Sequence, residues 1–413
     1  MPHILPFAAL RPAAGRAADV VAPPYDVVST EQARARAAGR PWSFLRVSKP
    51  EIDLPPGADP YAPSVYAKGK ENFSRMLSSG VLKRDEVPAF YVYRITMGDH
   101  VQTGLAAAAS IADYDANRIR KHELTRPDKE DDRVRHMEAL NAQTGPVLVA
   151  YPAMGEVDEL LAATCSRRPD SDATADDGVR HAIWSIRDAR IMGRIGELFS
   201  AMPALYIADG HHRSAAASRV AAARRRANPR PTGAESYERF LIVAFPHHEL
   251  RILAYNRVVR DLGGMNPVNF LAKLGERFSI ASSEAPVAPG RRGELGVYVQ
   301  GRWQRLTPRD YLPAGASAID RLDVSLLTAK ILEPILRIGD LRTDKRIDFV
   351  GGGHGLAELQ RRVDSGEMAA AFSLYPTSLD DLMAVADAGG VMPPKSTWFE
   401  PKLADGLLSH VLD

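Results

Sequence analysis

Ala204-Leu205-Tyr206-Ile207-Ala208-Asp209-Gly210-His211-His212-Arg213-Ser214 sets a short apolar run directly against a polar turn and the start of an Ala-rich segment. Five apolar residues ended by a turn signal read as a buried strand, and Ser214 to Ala227 reads as the helix that follows it. A helix beginning immediately after a buried strand has unpaired amide hydrogens in its first turn. Together with the positive end of the helix dipole these make an anion site, for which phosphate is the natural guest. Gly210 lets the backbone approach a ligand, Arg213 offers a forked donor, and His211 and His212 can donate hydrogen bonds or bind a metal. Ser214, at the helix start, joins them as a phosphate contact, and Asp209 brings the hard oxygen that suits Mg²⁺. A plainer alternative has the two imidazoles satisfying backbone carbonyls while Arg213 pairs with a surface acid. The turn is not a P-loop, because GxxxxGK[ST] occurs nowhere in the chain.

Outward from this turn, strand and helix signals alternate. Val147 to Tyr151 is a second buried-strand run, and strands are expected at His181 to Arg187, Phe240 to Phe245 and near Leu250 to Tyr255. Towards the N-terminus, Pro88 to Met97 and His100 to Ala112 read as a hairpin turning at Gly98-Asp99. Leu45 to Ser48 is a short strand candidate, Thr30 a helix cap, and Ser64 to Ser79 a helix stopped by Gly80. Beyond Pro267 come a helix, a hairpin at Leu295 to Leu306 and a helix near Ile319 to Ile331. The fold class is therefore α+β, with mixed α/β character.

A second polar constellation lies upstream, from Lys121 to Arg133. His122 and Glu123 form a dyad of proton-transfer types, and a carboxylate near a phosphoryl donor can act as general base on an alcohol. Arg126, Lys129 and Glu130 are further candidates for the same site. The competing reading is a solvated loop running into a helix whose first turn is enriched in acids, Asp128 to Asp132. Two other features are weaker. Gly351-Gly352-Gly353-His354-Gly355 reads as a tight strand-to-helix connection. His247-His248-Glu249 on an extended strand would alternate faces, which argues against a metal site there.

Composition bounds the rest. The 413 residues exceed what one core usually organises, and 45% hydrophobic with 25% charged residues is ordinary for a globular protein. Lys and Arg number 53 against 51 Asp and Glu, so there is no broad cationic field for nucleic acid or anionic lipid. Arg224-Arg225-Arg226 suits the C-terminal end of its helix rather than a nucleic-acid patch. The single Cys165 excludes an intrachain disulfide framework and fits a reducing compartment, so a cytoplasmic location is expected. Met1 to Leu10 does not read as a secretory signal, and no apolar run is long enough to span a membrane.

Several blocks in order carry a resemblance over nearly the whole chain. They are Pro6-Phe7 with Ala9-Leu10-Arg11-Pro12, Ala22-Pro23-Pro24-Tyr25-Asp26-Val27, and Lys121-His122-Glu123 with Thr125-Arg126-Pro127-Asp128-Lys129-Glu130. Ala208 to Arg213 and Met392-Pro393-Pro394-Lys395-Ser396-Thr397-Trp398-Phe399-Glu400-Pro401-Lys402 complete the set. The sequence is similar to the bacterial and archaeal family catalogued as domain of unknown function 1015. Its middle region also resembles the ParB/sulfiredoxin-like superfamily, including the free serine kinases.

The resemblance implies a nucleotide-binding core at 116–265, flanked by an N-terminal α+β region at 1–115 and a C-terminal α/β region at 266–413. It further implies Glu123 as base, with Asp209, Gly210, His211, His212 and Arg213 as nucleotide and metal contacts; His122 stands beside Glu123 as the second catalytic candidate from the dyad itself. The expected activity is phosphoryl transfer from ATP or ADP, with Mg²⁺, to a small hydroxylated metabolite, free L-serine being the first candidate. The alternative is a protein that binds and senses nucleotide without transferring a phosphoryl group. Neither a nucleic-acid nor a membrane partner is expected, and a reactive-cysteine chemistry is excluded because His211 stands in the turn.

Overall fold

A computed structural model describes residues 2–310 and 315–413. The chain divides into two compact units, Met1–Leu250 with Pro401–Asp413, and Arg251–Glu400. The boundaries expected at 115 and 265 fall within these units. Among the described residues no helix is long and apolar enough to cross a membrane.

The first unit is built on a nine-stranded sheet. Its strands are β1 (Ile4–Leu5), β2 (Phe90–Met97), β3 (His100–Ser110), β4 (Ile119–Arg120), β5 (Val147–Tyr151), β6 (Ser171–Thr174), β7 (Arg180–Ile186), β8 (Leu205–Asp209) and β9 (Arg239–Pro246). They run in the order β4-β8-β5-β9-β3-β2-β7-β6, with β1 beside β3. β8 pairs parallel to β4 and antiparallel to β5, while β5 and β9 are parallel, so the sheet is mixed as the alternating signals imply.

The central strands are apolar on both faces because helices and loops cover them. Val147 to Tyr151 and Phe240 to Phe245 are all buried, with Val149, Ile207 and Ile242 at the centre of the core. β3 contributes a run of alanines, and Gly104 precedes it for a steric reason. A Cβ at Gly104 would lie 2.6 Å from the Ala244 carbonyl and against the Phe245 ring. Three helices of this unit pack in series, α1 (Pro63–Ser78) against α2 (Pro127–Leu140) and α2 against α3 (His211–Ala227).

The hairpin forms as expected, with Met97 opposite His100 across Gly98-Asp99. Three local expectations change. Leu45–Ser48 is a single helical turn, not a strand, because the Phe44 carbonyl accepts from the amides of Val47 and Ser48. The cap of the Thr30–Ala37 helix is Ser29, not Thr30, in a reciprocal capping box with Gln32. His247–Glu249 forms a 3₁₀ turn rather than an extended strand. There the His247 ring accepts from the Ala153 amide and Glu249 accepts from the Thr103 amide.

The C-terminal segment 401–413 returns to the first unit. Asp405 exchanges backbone hydrogen bonds with Ala22, Ser409 with Leu10, and His410–Val411 pairs with Ala142–Gln143. At the C-terminal end of α3, Arg225 pairs with Glu238 and Arg224 bonds the Leu412 carbonyl and Asn141, so these cations serve local structure.

The second unit holds a six-stranded antiparallel sheet of β10 (Tyr255–Val259), β11 (Phe278–Ser283), β12 (Leu295–Val299), β13 (Arg302–Pro308), β14 (Ile347–Gly351) and β15 (Ala370–Leu374). Their order is β11-β13-β12-β15-β10-β14. Gly352–His354 forms a 3₁₀ turn between β14 and the Gly355–Asp364 helix, which is the tight connection expected of the glycine run. The helix expected near Ile319 to Ile331 is shorter, Asp323–Leu327, and continues as a wider π turn over Thr328–Leu332.

Candidate functional site

The site begins where β8 ends. Pairing between β8 and β5 slips after Ile207, so that Asp209 rather than Ala208 falls opposite Leu148. Such a bulge bends the strand and re-aims the next side chain. Gly210 then takes φ +103° and ψ +27°, and α3 starts at His211 with no side chain capping its N-terminus. The turn therefore has the form of an anion site: a buried strand, a left-handed glycine, and first-turn amides with the helix dipole behind them.

The loop after β4 brings the second constellation to the same place. Glu123 Oε2 lies 3.8 Å from His211 Nδ1, and the His122 ring stands perpendicular to the His211 ring with centroids 4.5 Å apart. Ligand atoms of His122, Glu123 and His211 all lie within 4.8 Å of one another. The Glu123 side chain is 38% exposed, whereas His122 and His211 are 2% and 5% exposed. Both ring nitrogens of His122, and Nε2 of His211, are buried without a hydrogen-bond partner. The Ile207 backbone, beside His122, favours its charged form. Burial dominates and lowers His122 to about 4, and burial followed by repulsion from His122 lowers His211 well below its ordinary value. Both shifts favour the neutral imidazole. An unsatisfied buried polar group costs about 1–3 kcal/mol, so this is an expensive arrangement for a purely structural pair.

Asp209 is held differently from the expectation. Its carboxylate pairs with Lys402 at 3.2 Å and with Arg213 at 3.6 Å. Burial alone would raise Asp209, but Lys402 and Arg213 outweigh it and hold the group well below the ordinary carboxylate range. A Mg²⁺ ion at this carboxylate would face two cations at close range, and the residues present do not fit a protein-held Mg²⁺ there.

Arg213 is buried, and its Nη1 donates to the Pro146 carbonyl. It also lines a small pocket with Tyr25, Arg133, Gly145 and Asp405. Here the Arg133 guanidinium sits 3.8 Å above the Tyr25 ring and pairs with Asp132. Asp405 is pushed up to about 7 by burial, against the opposing pull of Arg213 and Arg133.

Sequence reasoning missed Lys402, Asp405, Tyr25 and Arg133 as neighbours of the turn. Lys402 and Tyr25 do lie within the blocks that carry the family resemblance, but no spacing rule links either to Asp209 or Arg213. Lys395, Ser396 and Trp398, from the same block as Lys402, belong to the second unit.

The remaining candidates are engaged by partners of their own. His212 accepts a hydrogen bond from the Arg126 amide, which ties the two polar stretches together. The Arg126 side chain is exposed and pairs with Asp128, and Lys129 bonds the Tyr61 hydroxyl and lies over its ring. Glu130 accepts from Thr125 and Arg219. Ser214 is fully buried, with its hydroxyl donating back to the His211 carbonyl at 3.0 Å, so it serves the helix turn.

Against known proteins, the family model described as a protein of unknown function, DUF1015, matches residues 4–325. No curated protein matches. Among solved structures, a conserved hypothetical protein from Pyrococcus furiosus shares 13% identity over 73% of this chain and 93% of its own, with a TM-score of 0.35. A free serine kinase in complex with AMP shares 12% identity over 72% of this chain and 86% of its own, with a TM-score of 0.34. A variant of a free serine kinase in complex with ADP shares 13% over 73% and 88%, with a TM-score of 0.35. With about three quarters of its length matched by the family model, the chain belongs to the DUF1015 family.

Proposed function

We propose that this protein binds a nucleoside di- or triphosphate at the N-terminus of α3 and transfers its terminal phosphoryl group to the hydroxyl of a small metabolite. Free L-serine is the first acceptor to test, and ATP and ADP the first donors. One observation carries the reading: Glu123, distant in sequence from the turn, has its carboxylate 3.8 Å from the first residue of the phosphate-type helix. Donor site and base are thus within one substrate of each other.

In this reading the amides of His211 and His212 and the helix dipole hold the phosphate tail. The buried Arg213 and the partly exposed Lys402, both anchored on Asp209, keep the surroundings positive. The acceptor oxygen bonds to the terminal phosphorus as the bridging P–O bond breaks, the shortened nucleotide leaves, and the hydroxyl proton passes to Glu123. Mg²⁺ enters only as a counterion carried by the nucleotide's own phosphates. The cytoplasm, where Cys165 stays a free thiol and nucleotides are abundant, is the proposed setting.

The test is incubation of purified protein with Mg²⁺, ATP or ADP, and serine, with O-phosphoserine as the readout. Product that disappears in Glu123→Gln and Arg213→Ala supports the assignment. Equal turnover by wild type and both variants refutes it. Tight nucleotide binding without transfer to any of a panel of alcohols favours a sensing role instead.

A further inference from the structure

The geometry points to a divalent transition-metal site formed by His122, Glu123 and His211. Two buried imidazoles and one partly exposed carboxylate converge, with their ligand atoms within 4.8 Å of one another. Three of the four imidazole nitrogens have no hydrogen-bond partner, in side chains that are at least nine-tenths buried. A surface cluster of this composition would call for no explanation. Here each ring has a buried nitrogen without a hydrogen-bond partner, and one ligand atom from each ring and from the partly exposed Glu123 lie together.

The donors identify the class of ion. Two imidazoles with one carboxylate suit Zn²⁺, Fe²⁺, Co²⁺ or Mn²⁺ better than Mg²⁺, whose preference is for oxygen. An ion bound at roughly 2.1 Å needs donors about 3–3.5 Å apart, so a set spread over 4.8 Å must contract by up to about 1.3–1.8 Å. Glu123, the most exposed member, has the most room to move. Its position within the connection between β4 and α2, beside the N-terminus of α3, leaves further coordination positions for water or a ligand oxygen.

The inference stands on these three side chains and does not require nucleotide to bind. If phosphoryl transfer also occurs here, Glu123 would ligate through one oxygen and keep the other for the acceptor's proton.

The test is a Co²⁺ titration of the full-length chain after treatment with a chelator, followed by visible absorption. One saturating set of d–d bands per chain, displaced by Zn²⁺, is expected. Glu123→Gln should weaken that binding by at least roughly tenfold, since even a supporting group commonly costs that much. His122→Asn should abolish it, with circular dichroism verifying the fold. Absence of saturable bands, or binding unchanged in Glu123→Gln and in His211→Gln, overturns the site. A normal Co²⁺ spectrum with no ADP-induced rise in melting temperature upholds the metal site and removes the nucleotide reading alone.

Discussion

Replacing Gly210 by alanine attacks the turn at the one position where backbone geometry and ligand approach coincide. At φ +103° and ψ +27° an L-residue is strained, a cost of roughly 1–2 kcal/mol. The new Cβ would also stand 3.1–3.2 Å from Nε, Cζ and Nη2 of Arg213. That guanidinium cannot swing aside freely, because it is buried and bound to the Pro146 carbonyl and to Asp209. Crowding it adds on the order of 1 kcal/mol, giving a total near 2–3 kcal/mol. For a unit of this size that corresponds to a fall in Tm of roughly 4–10 °C.

Urea unfolding followed by tryptophan fluorescence measures the first effect, and ADP-induced stabilisation measures the second, which should vanish. Gly210→Asn separates the two contributions, since asparagine tolerates left-handed backbone but carries the same Cβ. If Gly210→Ala unfolds within about 0.5 kcal/mol of wild type, the range of an inconsequential substitution, the strained-turn argument is wrong.

The cations and acids behind the turn give two more expected outcomes. Lys402→Met should destabilise the protein by about 1–3 kcal/mol, between the surface and buried limits for ion pairs, because the Asp209 pair is partly exposed. In Lys402→Met/Asp209→Asn the loss should be less than additive in denaturant unfolding, and strict additivity would deny the coupling. For Asp405, burial raises the folded carboxyl from 3.8 to about 7, so the folded state holds a proton that the unfolded state releases. Its contribution is therefore fully present below about pH 4 and is lost as pH rises to about 7. At roughly 1.4 kcal/mol per pKa unit, Asp405→Asn should stabilise the protein by up to about 4 kcal/mol at pH 8 and change little at pH 4. A variant less stable than wild type at pH 8 would falsify this assignment.

What the sequence discloses, and what it withholds, depends on the range of the interactions. Val147–Tyr151, the Gly98-Asp99 hairpin and the strand–turn–helix at 205–227 are readable because apolar runs and turn residues act locally. Leu45–Ser48 is not legible as a helical turn because four residues carry no period, and contacts from Phe44 and the Pro50 turn decide the matter. The convergence of Glu123 on His211 depends on β4 pairing with β8, a long-range event that no local pattern announces. The same holds for Lys402 and Asp405, which reach the turn because the last residues of the chain rejoin the first unit. A Mg²⁺ role for Asp209 is chemically reasonable in isolation, and it is the two neighbouring cations, invisible in one dimension, that reassign the carboxylate.

The most direct measurement is a crystal structure of the protein soaked with ADP. The account predicts phosphate oxygens within hydrogen-bonding distance of the His211 and His212 amides, with the Glu123 carboxylate facing the terminal phosphate across a gap that one small alcohol would fill. Nucleotide bound elsewhere, or phosphates turned away from the α3 N-terminus, would contradict it.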